Sequence, residues 1–143
     1  MANEWVQVDG AEETYRKRSY TVESNASASF GTLAQLLDSR KASEGILASQ
    51  PSAGVWAEEK VESDTATRKS FFTGGIFEAR IAGTVNIGDK LVAASSQNYV
   101  KQWNPFNAAG SFGLLVTASF NYLARALEAG VDSDTINVGL IEI

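Results

Sequence analysis

With 143 residues, 44% of them hydrophobic and 20% charged, the chain has the size and composition of one globular domain. The net charge of −5 argues against the basic face that binds nucleic acid, and no apolar run approaches the roughly 20 residues of a membrane span, so neither partner is expected. Cysteine and histidine are absent, which excludes disulfides, zinc–thiolate sites and histidine-dependent catalysis.

The first 14 residues are predicted to form an extended arm outside a single β-domain at 15–143. They are acidic, without periodicity, and their large apolar side chains are Trp5, Val6 and Val8. Because so little apolar surface cannot fold alone, these three residues are candidate anchors on another surface. The start has neither the basic residues nor the apolar core of a signal peptide, so we expect synthesis and retention in the cytoplasm.

A strand is predicted at 15–22, where β-forming residues surround the basic triplet 16–18. The triplet has two interpretations, a phosphate-binding patch or charges that protect an edge strand, and the second is favoured. At 28–37 helix and strand compete, and similarity to 88–93 favours the strand. A long surface loop at 38–53 and a strand at 54–61 follow.

The middle of the chain is predicted to be a series of hairpins. Strands are expected at 65–72, 76–81, 90–94 and 99–103, with turns at 73–75, 85–89 and 95–98. The Gly74–Gly75 pair supplies the positive φ that a hairpin loop needs.

A second long loop is predicted at 104–117, and it carries Phe106 and Phe112 among small residues. Such aromatic side chains either contact a partner or pack over the end of a barrel. For 122–129, a short helix between Asn121 and Gly130 competes with a strand, and the strand is favoured. Alternation then predicts a strand at 135–143 that ties the end of the chain into a sheet. The fold class is therefore all-β, a small barrel or sandwich of hairpins with an N-terminal arm and long loops.

A repeated phrase predicts two similar halves. Val-Glu-Ser-Asp-Thr at 61–65 matches Val-Asp-Ser-Asp-Thr at 131–135, an offset of 70 residues that Glu58 and Glu128 share. A long apolar segment follows each copy. Neither half is large enough to bury a core alone, so together they are expected to close one β-structure.

Several short segments occur in a distinctive order. They are RSYTV at 18–22, GTL at 31–33, AEEKV at 57–61 with Asp64 and Thr67, TGGIF at 73–77, IGDKLV at 87–92, ALE at 126–128 and the closing strand. This order resembles the small head decoration, or capsid-cementing, proteins of tailed bacteriophages. Two segments depart from the family pattern: 103–120 is longer, and 1–14 has no counterpart.

The resemblance implies an all-β protein without enzymatic activity or cofactor. It further implies a homotrimer that binds the major capsid protein on the outer surface of the virion. With this function, the interface residues would be Trp5, Val6, Val8, Phe106 and Phe112. The arm would then hold the protein to a neighbouring subunit or to the capsid.

Two other functions compete with this one. A carboxylate-dependent glycan hydrolase would use Glu58, Glu59, Glu128, Asp132 or Asp134, although the aspartates are also typical of turns, and no catalytic residue is assigned. Asp132 and Asp134 could contact calcium but lack further oxygen ligands in the sequence, so no metal site is expected. A carbohydrate-binding β-module would use Trp56, Trp103 or Phe106 as a stacking platform.

Overall fold

The computed structural model describes residues 3–8, 14–103 and 121–141. This part of the chain forms ten strands, which confirms the all-β prediction and the strands favoured at 28–37 and 122–129. The strands are β1 (Val6–Gln7), β2 (Arg16–Thr21), β3 (Leu33–Asp38), β4 (Lys41–Ala42), β5 (Ser52–Trp56), β6 (Arg68–Ala82), β7 (Lys90–Ala93), β8 (Val100–Gln102), β9 (Ala124–Ala126) and β10 (Thr135–Leu140). Within the described residues, no helix has the length and apolar character needed to span a membrane.

Strand β6 is the long central strand of the fold, and its 15 residues take part in both sheets. The predicted hairpin turn at 73–75 is wrong, because the chain continues in the same direction through Gly74 and Gly75. Gly75 has φ +131°, and a β-carbon there would lie 2.3 Å from Cδ1 of Tyr15. Glycine therefore lets β6 pass beneath the Tyr15 ring from one sheet into the other.

The strand pairings form two circuits that share β6. In the first sheet, β6 pairs with β2, then β4, β3 and β5 follow, and β5 pairs again with β6. In the second sheet the order is β6, β8, β7, β9 and β10, and β10 pairs again with β6. The predicted loop at 38–53 contains β4, and its last two residues already belong to β5.

The two circuits are built alike. In the first, the Asp64 amide donates to the Val61 carbonyl at 3.0 Å, and in the second the Asp134 amide donates to the Val131 carbonyl at 3.0 Å. Each turn leads to a strand, β6 or β10, that completes its circuit. The repeated phrase in the sequence therefore lies at equivalent turns in the two halves.

The strand registers correspond with a shift of three residues. Trp56 pairs with Phe71 in the first sheet, and Ala126, 70 residues after Trp56, pairs with Val138, which is 67 residues after Phe71. The glycines that enter β3 and β7, Gly31 and Gly88, have φ of 93° and 87°. Because β6 ends one half and begins the other, the halves cannot separate without breaking a strand.

Two groups of buried side chains form the core, one within the first sheet and a larger one that draws on both sheets, because it also contains Leu33 and Val55. The first group includes Tyr20, Trp56 and Phe71. The second includes Trp5, Phe77, Ile81, Leu91 and Val138. Burial of each large aliphatic or aromatic side chain contributes about 1.5–3 kcal/mol, so both groups stabilise the fold.

Lys60 is the one lysine or arginine buried among the described residues, with 2% of its surface exposed. Its ammonium donates to the carbonyl oxygens of Ser24 at 2.7 Å, Ala26 at 3.3 Å and Asp64. A buried lysine needs such acceptors because its charge has lost the surrounding water. Lys60 thereby holds the 24–26 turn against the turn at Asp64.

Candidate functional site

The described part of the predicted arm is integrated into the fold. Strand β1 pairs with Phe77 and Glu78 of β6, and the Tyr15 hydroxyl donates to the Ile76 carbonyl at 2.7 Å. The same hydroxyl accepts a hydrogen bond from the Val8 amide at 2.9 Å. Residues 3–8 therefore cover an edge of β6 that would otherwise expose unpaired backbone groups.

The three candidate anchors of this segment have different surroundings. Trp5 is 1% exposed, and its indole Nε1 donates to the Asn98 carbonyl at 3.0 Å. The predicted contact of Trp5 with a partner therefore needs correction, because its own chain already buries the ring. Val6 is 54% exposed and Val8 is half-buried. A partner contact through Val6 and Val8 stays a prediction.

Phe106 and Phe112 lie outside the described residues, but the two ends of their segment are close together. The rings of Trp103 and Tyr122 are 5.8 Å apart in an edge-to-face arrangement. The Lys90 ammonium lies 4.4 Å from the centre of the Tyr122 ring, a distance typical of cation–π contacts. This cluster fixes both ends of the segment against β7.

Exposed apolar side chains lie at the turns of both halves. Val61 and Val131, at equivalent positions of the repeated phrase, are 57% and 61% exposed. The other large exposed hydrophobic residues of the described chain are Val6, Phe30, Leu37, Leu47, Ile87 and Leu127. Sequence reasoning did not assign Val61 and Val131 to an interface. The signal was present, since a valine at both copies of a polar turn is unexpected.

The glutamates considered for catalysis hold neighbouring strands. The Glu58 carboxylate accepts hydrogen bonds from the Ser70 amide at 2.7 Å and from its hydroxyl at 2.8 Å. The hydrogen bond from the Ser70 amide is the main reason that the pKa of Glu58 lies below its ordinary value. The Ser70 hydroxyl and the nearby Lys69 ammonium lower this pKa further, although partial burial opposes the shift. Glu128 accepts from the Asn137 amide at 2.6 Å in the other half. Glu59 is exposed.

The two aspartates of the second repeat are used in turns. Asp132 accepts a hydrogen bond from the Gly83 amide at 2.8 Å, and Asp134 accepts from the Val131 amide at 2.9 Å. Capping of backbone amides is the usual work of turn aspartates. Within the described residues, no group of three or more acidic side chains is placed to hold a metal ion.

Two of the proposed sugar platforms differ in exposure. Trp56 is fully buried in the first sheet and lies 4.5 Å from the Phe71 ring, so its role as a stacking platform is corrected. Trp103 is half-buried beside Tyr122.

An open depression of about 230 Å³ lies between the sheets, with Leu36, Ala53 and Leu140 in its wall. This volume is below the roughly 300–1,000 Å³ of small-molecule sites, so no ligand is assigned to the depression.

No family model and no curated protein matches the sequence. Among solved structures, the chain is similar to the head fiber gp8.5 N base of bacteriophage phi29. The alignment covers 88% of this chain and 95% of that one, with 10% sequence identity and a TM-score of 0.48.

Proposed function

We propose that this chain is a structural protein of a tailed-phage head, which binds the outer capsid surface as an oligomer, a trimer by family resemblance, and stabilises the shell. The observation that carries the proposal is the placement of the segments that resemble decoration proteins. Phe77 pairs with Val138, which also pairs with Ala126, and Leu91 pairs with Ala124. Four of the resembling segments are thus neighbours in one sheet, so the resemblance concerns a contiguous part of the fold.

A structural role also agrees with the use of the acidic side chains. Glu58, Glu128, Asp132 and Asp134 all accept hydrogen bonds from backbone amides. A general acid or base needs a carboxylate directed at a substrate, with its pKa matched to proton transfer. Carboxylates engaged with the backbone favour a binding protein over a glycan hydrolase.

The proposed mechanism is thermodynamic. A protein that binds the assembled shell and not its separated subunits stabilises the shell by mass action. Val61 and Val131 give each subunit two similar apolar contact points, and an oligomer multiplies them. The net charge of −5 keeps free subunits soluble until a lattice is present.

The decisive experiment mixes the purified chain with heads from a phage that lacks it. We expect saturable binding, added density on the outer surface in electron cryomicroscopy, and a higher temperature of head disruption. Density confined to the interior or to the tail would reject the proposal. Binding on a glycan array, without binding to heads, would instead support the carbohydrate-binding alternative.

A serine scan of the exposed apolar residues would locate the docking face. Val6→Ser, Val61→Ser and Val131→Ser each remove an exposed apolar side chain without disturbing the buried groups. We expect head affinity to fall about tenfold for those that form the interface, which is about 1.4 kcal/mol. Circular dichroism of each variant serves as the folding control. Unchanged affinity in all three would remove these residues from the interface.

A further inference from the structure

Three arginines from distant parts of the sequence line one groove. Arg18 belongs to β2, Arg40 to the turn between β3 and β4, and Arg68 begins β6. They meet because Thr21 pairs with Arg68 and its amide donates to the Arg40 carbonyl at 2.6 Å. The groove has a volume of about 420 Å³, and its remaining lining residues are Ser19 and Ser39.

The positive charges of this groove have no carboxylate partner among residues 3–8, 14–103 and 121–141. The ion pairs found there use Lys41 and Lys69 instead. Arg18 is nevertheless held in place, because its Nη2 donates to the Ser39 carbonyl at 3.0 Å and its guanidinium lies 5.0 Å from the Tyr20 ring centre. Like charges held together in an acidic protein repel one another, and a bound anion would relieve that repulsion.

The chemistry of the groove favours carboxylates. A guanidinium group presents its N–H donors as a fork that matches the two oxygens of a carboxylate, and the serine hydroxyls add further donors. A long polyanion fits less well, because the whole chain carries −5 and the exposed Asp38 directly precedes the groove residue Ser39 in the chain. We propose that this groove binds the side-chain carboxylates of a short acidic segment on a partner protein.

The test uses a capped hexaglutamate peptide and the full chain labelled with ¹⁵N, at low salt where exposed charges are least screened. Resonances of the groove backbone and of the arginine Nε–H groups should shift on titration. The triple variant Arg18→Gln, Arg40→Gln, Arg68→Gln should bind the peptide at least about tenfold more weakly, from the loss of several exposed ion pairs. All three side chains are exposed, so the variant should keep the wild-type circular dichroism.

A matched control removes the same number of positive charges elsewhere. Arg80→Gln, Lys101→Gln and Arg125→Gln change exposed side chains outside the groove, and this triple should retain affinity within about twofold. Replacing the three groove arginines by lysine should give intermediate affinity, because charge remains and the fork is lost. Equal losses in the groove and control triples, or no peptide binding at low salt, would overturn the proposal. Tighter binding of an oligothymidylate than of the peptide would also overturn it and indicate a nucleic acid partner.

Discussion

Trp5 ties the N-terminal segment to the core of the second sheet. Its ring is buried beside Phe77, and its indole N–H is bonded to the Asn98 carbonyl. We expect Trp5→Ala to lower the free energy of unfolding by about 3–5 kcal/mol, the usual result of emptying a large aromatic site. Val6→Ala, at the next and exposed position, should change it by less than about 0.5 kcal/mol. Urea titration measures both, and a loss below about 1 kcal/mol for Trp5→Ala would contradict the burial of this ring.

Glu58, Asp64 and Lys69 form a small charged group beside the first turn of the repeat. The Lys69 ammonium lies 2.9 Å from Asp64 Oδ2 and 3.5 Å from Glu58 Oε1. The hydrogen bond from Lys69 is the main cause of the lowered pKa of Asp64, and the Ser70 amide is the main cause for Glu58. Lowered folded-state pKa values mean that this stabilisation is present above the ordinary carboxyl range of about 4 and is lost as pH falls through the folded values.

This group makes a pH-dependent prediction. The double variant Glu58→Gln, Asp64→Asn should unfold in urea with a smaller difference between pH 6 and pH 3 than the wild type, because it lacks both carboxylates. Glu59→Gln removes a neighbouring exposed carboxylate that makes neither of these contacts and serves as the control. Identical pH slopes for the double variant and the wild type would show that the group does not contribute.

At the level of elements, β6 depends on glycine at one position for two reasons. Gly75 has φ +131°, and a β-carbon there would meet the Tyr15 ring, whereas Gly83 has φ +80° and open space around it. We expect Gly83→Ala to destabilise by about 1–2 kcal/mol from the backbone alone. Gly75→Ala should lower the free energy of unfolding by at least about 2 kcal/mol more than Gly83→Ala, because the Tyr15 ring must also move. Equal losses of unfolding free energy for Gly75→Ala and Gly83→Ala in urea titrations would mean that the Tyr15 ring moves aside without cost.

The same element explains what sequence reasoning could and could not predict. Alternation identified β10, since Ile136 and Val138 point to one buried face. A glycine pair, however, is compatible with a hairpin or with a continuous strand, and only the partners of β6 distinguish them. Those partners are far away in sequence: Phe77 pairs with Gln7 and Val138. The sequence predicts an arm around Trp5 for this reason, because the strand against which Trp5 packs lies about 70 residues further on.

Part of the candidate site could also be predicted from the sequence, and part could not. Asp134 could be interpreted locally, because its carboxylate accepts from the Val131 amide of its own turn. Asp132 accepts instead from the Gly83 amide, 49 residues away, a contact that no local pattern predicts. The arginine groove could not be predicted, although Arg18 belongs to a basic triplet in the sequence. Arg40 and Arg68 reach Arg18 through strand pairing, which no local pattern encodes.

At the scale of the whole molecule, the shared strand predicts that the two sheets unfold together. Small domains of this size usually unfold in one transition, and β6 crosses both circuits. Native-state hydrogen exchange should therefore give equal opening free energies for the amides of Phe71 in the first sheet and Val138 in the second. A lower value for one of them would mean that one half opens while the other persists.

Lys60 and Gly130 occupy equivalent positions in the two halves and differ completely in size. Each forms an isolated bridge, Lys60 with Ala28 and Gly130 with Val85, yet a β-carbon at Gly130 would lie 2.8 Å from Cγ2 of Ile136. Chains with similar halves are prone to exchange segments within or between molecules while they fold. The Lys60 segment cannot replace the Gly130 segment without a steric clash, and the reverse exchange leaves three carbonyl oxygens without the ammonium that they bind. Lys60 and Gly130 therefore oppose the exchange of these equivalent segments when many newly made chains fold close together.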